Sequence, residues 1–168
     1  MINLKKIVYL CICLFIGLLV YKKNNEIIIP DDAIRLRIIA NSNNIEDLYE
    51  KKKIKSEIEN DIYSLVSNTK SIDSARNYIK DNLENIRKLI NSKTSDFKLD
   101  YGINYFPKKV YKGVIYPEGN YESLVITLGK GLGDNWWCVL YPPLCLINDN
   151  DTTSDVSYRS FVYDILNN

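Results

Sequence analysis

An apolar run near the N-terminus constrains this chain more than any other feature. Two lysine pairs, Lys5-Lys6 and Lys22-Lys23, flank fifteen consecutive apolar residues, Ile7 to Tyr21. Flanking lysines of this kind are typical of a segment that enters a membrane. The run is shorter than the roughly 20 residues of most membrane-spanning helices and fits the core of a signal peptide better. We therefore expect residues 1–23 to direct export, and the rest of the chain to lie outside the cytoplasm.

The sequence leaves open whether this segment is a cleaved signal peptide or a retained membrane anchor. The run ends in Leu-Leu-Val-Tyr and offers signal peptidase no pair of small residues. Cys11 and Cys13 lie inside the run, but neither follows the small residue that a lipoprotein signal requires, so we interpret both as apolar filler. The alternative, a buried core helix, is disfavoured by the flanking lysines.

Composition narrows the classes of function. Four of the 22 basic residues lie in residues 1–23, which leaves 18 basic and 21 acidic residues, a net charge of −3, for the exported part. Such a domain has no positive excess to neutralise phosphates, so we expect no nucleic-acid partner. The chain has no histidine, which removes the most common general base and metal ligand. We expect no enzyme activity, no metal and no cofactor, although carboxylates could still supply acid–base chemistry.

The two remaining cysteines, Cys138 and Cys145, can form a disulfide outside the cytoplasm. Six residues separate them, and Pro142 and Pro143 among these can fold the chain back on itself. The expected role of the disulfide is to fix the shape of this short loop. Two free, buried thiols are the alternative.

Periodicity predicts a strand followed by two helices. Apolar and polar residues alternate from Ala33 to Ala40, as in a half-buried strand. The run Asn41-Ser42-Asn43-Asn44 supplies capping groups for a helix that continues to about Val66. Ser71 opens a second helix, in which the apolar positions from Ile72 to Ile90 form one narrow stripe.

From Phe97 onward the period changes to two, which predicts strands. After the first of them, Val110 to Tyr116 and Tyr121 to Leu128 are expected to form a hairpin across a turn at 117–120. A further strand follows at Trp136 to Leu140, whereas Val156 to Leu166 fits either period.

This order of elements predicts an α+β fold: a single two-layer domain with a mixed or antiparallel sheet and two packed helices. The predicted organisation is an export or anchor segment at residues 1–23, a linker at 24–32 and one extracytoplasmic domain at 33–168.

Three motifs approach known chemical sites without meeting their requirements. The run from Gly129 to Gly133 lacks both the dinucleotide fingerprint and the Gly-Lys-Ser/Thr of a Walker loop, so we interpret it as a turn that needs positive φ. Asp149 and Asp151 begin a loop without the glycine and the final glutamate of a calcium site. Glu118 and Glu122 could form a hydrolytic carboxylate pair, but nothing distinguishes them from a solvated hairpin.

The most informative stretch is Asn-Trp-Trp-Cys-Val-Leu-Tyr-Pro-Pro-Leu-Cys, residues 135–145. Trp136 and Trp137 are adjacent, and neighbouring residues of a strand point to opposite faces of the sheet. At most one can fill the core from this layer; the other is covered by another element or offered to a partner. The alternative is that both are core. The candidate partner-binding residues are Trp136, Trp137, Tyr141, Pro142 and Pro143, with Arg35, Arg37 and Asn41 next in line.

This eleven-residue block resembles the hallmark of the stage II sporulation protein R family. Further stretches are similar to the family in the same order along the chain, namely residues 34–42, 106–111, 116–122 and 128–131. The resemblance covers about residues 33–148. The family commonly has histidine where Arg37 stands, so no role that needs an imidazole is carried to that position.

The resemblance implies an exported signalling protein of endospore formation. Such a protein passes from the forespore into the space between the two septal membranes. Its implied partner is a membrane-embedded aspartic protease of the mother cell, which then removes the pro-segment of the sigma E precursor. Two other classes of function stay open: an extracytoplasmic hydrolase with a carboxylate pair, and a structural protein of the cell envelope.

The apolar run generates a prediction about topology. A cysteine-free reporter that works only after export, fused after Asn168, should be active, because residues 1–23 carry the export signal. Reporter activity is measured in whole cells and in fractionated cells. A full-length fusion that is folded and retained in the cytoplasm would contradict the assignment.

Overall fold

The helices and strands follow one another along the chain much as the sequence periods predict. The computed structural model describes residues 4–24, 27–66, 69, 71–145 and 162–167. The helices are α1 (Leu4–Asn24), α2 (Ile45–Val66), α3 (Ile72–Asp81), α4 (Leu83–Asn91) and α5 (residues 162–167). The strands are β1 (Ile27–Ile28), β2 (Ile34–Ile39), β3 (Phe97–Phe106), β4 (Lys109–Tyr111), β5 (Val114–Tyr116), β6 (Gly119–Leu128) and β7 (Asn135–Tyr141).

The larger sheet is mixed, with the strand order β3-β6-β2-β7. β2 runs parallel to β6 and antiparallel to β7, and β3 runs antiparallel to β6. Ile34, Leu36 and Ile38 alternate along β2 and are almost completely buried. The predicted α+β fold with a mixed sheet is therefore confirmed.

Three helices cover one face of this sheet. The apolar stripe of α2 (Ile54, Ile58 and Ile62) joins the buried side chains of β2 and β6 in one core. Burying a branched apolar side chain contributes about 1.5–3 kcal/mol, so this stripe, rather than helix propensity, holds α2 in place. Ala75, Ile79, Ile86 and Ile90 of the next two helices complete the core.

The helix predicted from Ser71 to Ile90 is interrupted at Asn82, which separates α3 from α4. Asn82 has φ −102° and ψ 3°, and its side-chain amide donates a hydrogen bond of 2.9 Å to the carbonyl of Tyr78. Asparagine competes with helical backbone bonding in this way. Ile79 and Ile86 are both buried, so the apolar stripe continues across the break.

The stretch predicted as a linker, residues 24–32, contains the short strand β1. Within them, β1 pairs in parallel with β5, and β4 completes a second sheet with the order β1-β5-β4. The Ile29 amide donates to the carbonyl of Ile115 at 3.0 Å, and Ile29 is buried. Three consecutive isoleucines show no alternation from which a strand could be predicted. Ile29 is buried in a small second core, which consists of Ile29, Ala33, Val114, Val139, Leu144 and Val162.

The predicted hairpin between Val110–Tyr116 and Tyr121–Leu128 is wrong. The first segment is itself a hairpin, because Lys112 and Gly113 both have positive φ, 46° and 78°. Two such residues form the tight turn that matches the twist of paired strands. β6 pairs instead with β3, from Phe97 opposite Leu128 to Phe106 opposite Gly119.

The glycine-rich run is a turn that is hydrogen-bonded to Asn41. Gly129 and Gly131 have φ of 51° and 64°, which confirms the expectation of positive φ. The amide of Lys130 donates to the Asn41 side-chain oxygen at 2.9 Å, and the amide of Leu132 donates to the Asn41 carbonyl at 2.9 Å.

The disulfide between Cys138 and Cys145 is present, with the two Cα atoms 5.4 Å apart. It closes the loop that contains Pro142 and Pro143, and the prediction of a disulfide is confirmed. Inside the loop, Leu144 is buried and its amide donates to the carbonyl of Val139 at 3.2 Å.

The N-terminal helix α1 has exposed side chains at every position from Lys5 to Leu18. Within the described residues, no helix is sufficiently long and apolar to cross a membrane.

Gly133 generates a prediction about stability. A Cβ at this position would lie 2.3 Å from the backbone carbonyl oxygen of Ser42, so Gly133→Ala should force the two backbones apart. We expect a loss of about 1–3 kcal/mol in the free energy of unfolding, measured by denaturant titration. Gly102→Ala is the matched control, because no atom lies within 4 Å of its added Cβ. Equal stability of the two variants would contradict the close approach of the backbone at Gly133 to that at Ser42.

The disulfide generates a second prediction. Cys138 and Cys145 should resist alkylation until reductant is added, whereas the free cysteines Cys11 and Cys13 should react under denaturing conditions without it. Replacing Cys138 with Ser should lower the free energy of unfolding by about 2 kcal/mol, because the closed loop is short. Immediate alkylation of all four thiols in the unreduced, denatured chain would refute the pairing.

Candidate functional site

Two arginines on β2 point to the face of the large sheet that the helices leave uncovered. Arg35 and Arg37 alternate with the buried Ile34, Leu36 and Ile38 and therefore lie on the opposite face. Arg35 is only 2% exposed, and Arg37 is half-buried.

Aromatic rings from four other strands surround these guanidinium groups. The carbon at the centre of the Arg35 guanidinium lies 4.2 Å from the ring centre of Phe106, 4.9 Å from that of Tyr121 and 5.8 Å from that of Tyr116. The Arg37 guanidinium lies 5.4 Å from Phe106 and 5.8 Å from Trp137.

We call this group the arginine–aromatic cluster; it consists of Arg35, Arg37, Phe106, Tyr116, Tyr121 and Trp137. Phe106 holds it together, since its ring makes edge contacts with Tyr121 at 6.0 Å and with Trp137 at 5.4 Å. Edge contacts of this kind place the positive rim of one ring against the negative face of another.

The cluster carries positive charge without a matching carboxylate. Among the described residues, no acidic side chain forms an ion pair with Arg35 or Arg37, and the Nε atoms of both are buried without an acceptor. Burial lowers the pKa of both guanidinium groups. A desolvated cation costs several kcal/mol, whereas a cation–π contact contributes about 2 kcal/mol. Within the described residues, Arg35 is therefore a buried cation without a counter-charge.

Trp136 and Trp137 point to opposite faces of the sheet, as the alternation of a strand requires. Trp136 packs against the helix-side core, with the ammonium group of Lys55 4.7 Å from its ring centre. Trp137 belongs to the cluster, and the ammonium group of Lys109 lies 5.7 Å from its ring centre. Both tryptophans remain half-exposed.

A groove of about 560 Å³ lies beside these side chains. One wall is β4, at the edge of the small sheet, and another is β7, at the edge of the large sheet. Lys55 and Glu59 of α2 also line the groove. Arg35 and both tryptophans reach it, so the groove connects the buried charge with solvent.

The remaining predicted site residues fall in two places. Tyr141, Pro142 and Pro143 are half-exposed at the end of β7, inside the disulfide-closed loop. Asn41 lies at the far end of β2, where its amide group donates to Asp47 at 2.9 Å and its oxygen accepts from Lys130. Asn41 thus orders the glycine-rich turn, and it does not line the groove.

The two glutamates considered for hydrolysis do not form a pair. Both oxygens of Glu122 accept hydrogen bonds from Arg76, at 2.7 and 3.0 Å, and one also accepts from Tyr101 at 2.8 Å. Burial, followed by this bond to Glu122, raises the pKa of Tyr101, which keeps its hydroxyl protonated as a donor. Glu118 is exposed, four residues away along an extended segment, which is about 13 Å.

The described residues contain no cluster of three or more histidine, cysteine or acidic side chains able to hold a metal. The loop of Asp149 and Asp151, weighed as a calcium motif, lies outside the described residues.

Sequence reasoning missed Phe106, Tyr116, Tyr121 and Lys109 as site residues. Tyr116 and Tyr121 were placed only at the ends of predicted strands, and neither Phe106 nor Lys109 was assigned a role. Their only sequence signal is that each lies in or beside a stretch that resembles the sporulation family. Their role depends on strand pairings that join distant parts of the chain.

Comparison with known proteins assigns the chain to a family. A family model described as stage II sporulation protein R matches residues 30–151, a range that contains every member of the cluster. Stage II sporulation protein R of Bacillus subtilis (strain 168) is 37% identical over 163 residues, covering 86% of this chain and 73% of that protein. No solved structure matches the chain. The chain therefore belongs to the stage II sporulation protein R family, and its role is in sporulation.

Proposed function

We propose that this chain is an exported intercellular signal of endospore formation and acts by binding. In this proposal it leaves the forespore, directed by residues 1–23 as signal peptide or membrane anchor, and reaches the space between the septal membranes. There it activates a membrane-embedded aspartic protease, which processes the sigma E precursor. The family membership supports the process, and the groove supports the mode of action.

The observation that carries the binding mode is the position of Trp137. Trp137 is half-exposed at the groove, and the cationic groups of Arg37 and Lys109 lie 5.8 and 5.7 Å from its ring centre. The disulfide-closed loop follows on the same strand and limits the motion of the groove wall. Aromatic anchors held rigidly in this way contribute most to binding energy at protein interfaces.

The energetic requirement of this function is modest. An activator that only binds must prefer the active state of the protease, and a hundredfold shift in population requires a preference of about 3 kcal/mol. One or two well-packed aromatic anchors supply free energies of this size. No covalent chemistry is required of the chain.

The two rival functions predict different structures. A hydrolase requires two carboxylates across a cleft, whereas Glu122 is bound to Arg76 and Tyr101, and Glu118 and Asp134 are exposed. A structural envelope protein would act in stoichiometric amounts. Titrating the amount of chain against the extent of precursor cleavage separates this class from a signal that works at low copy number.

The proposal predicts different effects for the two tryptophans. Trp137→Ala should lower precursor cleavage at least tenfold with little change in melting temperature, because its ring lies at the groove. Trp136→Ala should lower the melting temperature, because its ring packs against the helix-side core. The assay co-produces the chain, the septal protease and the sigma precursor in a non-sporulating host.

Tyr105→Ala is the matched control for these variants. Tyr105 is 56% exposed on β3, at the opposite edge of the large sheet from β7, so cleavage should match that of the unaltered chain. Secretion and melting temperature are measured for each variant. A folded, secreted Trp137→Ala chain that supports full cleavage would move the contact surface away from the groove.

A further inference from the structure

Arg35 is the only charged side chain among the described residues that is buried. Buried cations in proteins are normally paired with a carboxylate, because the charge has lost its water. Here the guanidinium meets the faces of Phe106, Tyr121 and Tyr116 instead. These rings hold the side chain in position, but they neither neutralise its charge nor accept its Nε hydrogen.

Arg35 is one of the residues that line the groove, and the charges there favour an anion. Lys109 and Lys55 line the groove together with Arg35, against a single acidic side chain, Glu59. Glu59 forms an ion pair of 3.5 Å with Lys55. A ligand carboxylate near Arg35 would therefore meet two uncompensated cations, Arg35 and Lys109, and no competing described acid.

The shape and lining of the groove favour an extended peptide over a free anion. Its volume of about 560 Å³ falls in the range of about 300–1,000 Å³ that is usual for ligand sites. Trp136, Trp137, Val139 and Leu144 give it an apolar lining. One wall, β7, pairs with β2 alone among the described strands, so its outer edge before Val139, whose carbonyl already accepts from the Leu144 amide, can accept another strand.

We infer that the groove binds an extended peptide segment of a partner protein along β7, with a carboxylate of that segment paired with the guanidinium of Arg35. This inference rests on the proposed function for the identity of the partner, an exposed acidic segment of the septal protease. The recognition itself depends only on Arg35, Lys109 and the strand edge. In this inference, Arg35 has no counter-charge among the described residues because its counter-charge arrives with the partner.

The decisive variant is Arg35→Met, which keeps an unbranched side chain among the rings and removes the charge. Replacing an unpaired buried ion with an apolar side chain of similar length should leave the melting temperature unchanged or higher. Precursor cleavage in the co-production assay should fall at least tenfold. Arg87→Met on the exposed face of α4 is the matched control and should leave both measurements unchanged. Full precursor cleavage in the presence of a folded Arg35→Met chain would overturn the inference.

Lys109→Glu keeps the test decisive if Arg35→Met does not fold, since Lys109 is exposed on β4. Reversing this charge should lower cleavage at unchanged melting temperature, and exchange of an acidic residue of the protease segment for Lys should restore it. Lys98→Glu, exposed on β3 at the far edge of the sheet, is the control and should behave like the unaltered chain. Full cleavage by Lys109→Glu would overturn the inference.

A binding measurement separates this inference from the proposed function. Both tryptophans of the chain line the groove, so their fluorescence reports its occupancy. The probes are two short peptides of alternating Val and Thr, one with a central Glu and the other with Gln. The full chain should bind the Glu peptide at least tenfold more tightly, and Arg35→Met should abolish the difference. Equal affinity of the two peptides would overturn the inference, even if the chain activates the protease.

Acidic residues of this chain itself are the alternative source of the carboxylate that pairs with Arg35. Asp149, Asp151 and Asp155 follow Cys145, which also lines the groove. If one of them supplied the counter-charge, replacing all three with Asn would lower the melting temperature and strengthen binding of the Glu peptide. That result would assign the carboxylate to this chain and overturn its assignment to a partner. An unchanged melting temperature and an unchanged affinity for the Glu peptide would support the assignment of the carboxylate to a partner.

Discussion

The placement of β2 between β6 and β7 is the constraint on which the rest of the structure depends. Its alternation gives one face to the helix-side core, through Ile34, Leu36 and Ile38, and the other to Arg35 and Arg37. Because the side-chain period of a strand is two, a slip of one residue would exchange these faces. The arginines would then enter the apolar core, and that cost fixes the register.

Strand β1, which follows α1 in the chain, helps to build the groove. β1 pairs with β5, and the turn at Lys112 and Gly113 connects β5 to β4, which is one wall of the groove. Burial of Ile29 fixes this small sheet against the second core. β1 thus connects, through two strand pairings, to the candidate binding surface.

The arginine–aromatic cluster and the disulfide-closed loop have complementary effects on this surface. The cluster has positive charge that no carboxylate of the described residues neutralises, which costs stability, while the disulfide restricts the loop that follows β7. An unsatisfied charge held in a fixed geometry is what a binding site requires, and stability is commonly lower at such sites. By contrast, the ion pair of Arg76 with Glu122 is fully satisfied, and it serves to fasten α3 to the sheet.

The sequence by itself determined the features that rest on local period and local chemistry. It predicted the α+β class, the strand at β2, the opposed tryptophans, the positive φ of Gly129 and Gly131, and the disulfide. Each depends on residues a few positions apart. The family resemblance was also visible, because it rests on contiguous motifs.

Only the tertiary structure decided which distant segments meet. It paired β6 with β3 rather than with its neighbour, included Ile27 and Ile28 in a second sheet, and brought Phe106 and Tyr121 to Arg35. It also separated Asn41 from the groove, which Arg35, Trp136 and Trp137 line. The local period sets which face of a sheet a side chain occupies, whereas long-range strand pairing decides which residues that face contacts. The groove depends on this long-range pairing.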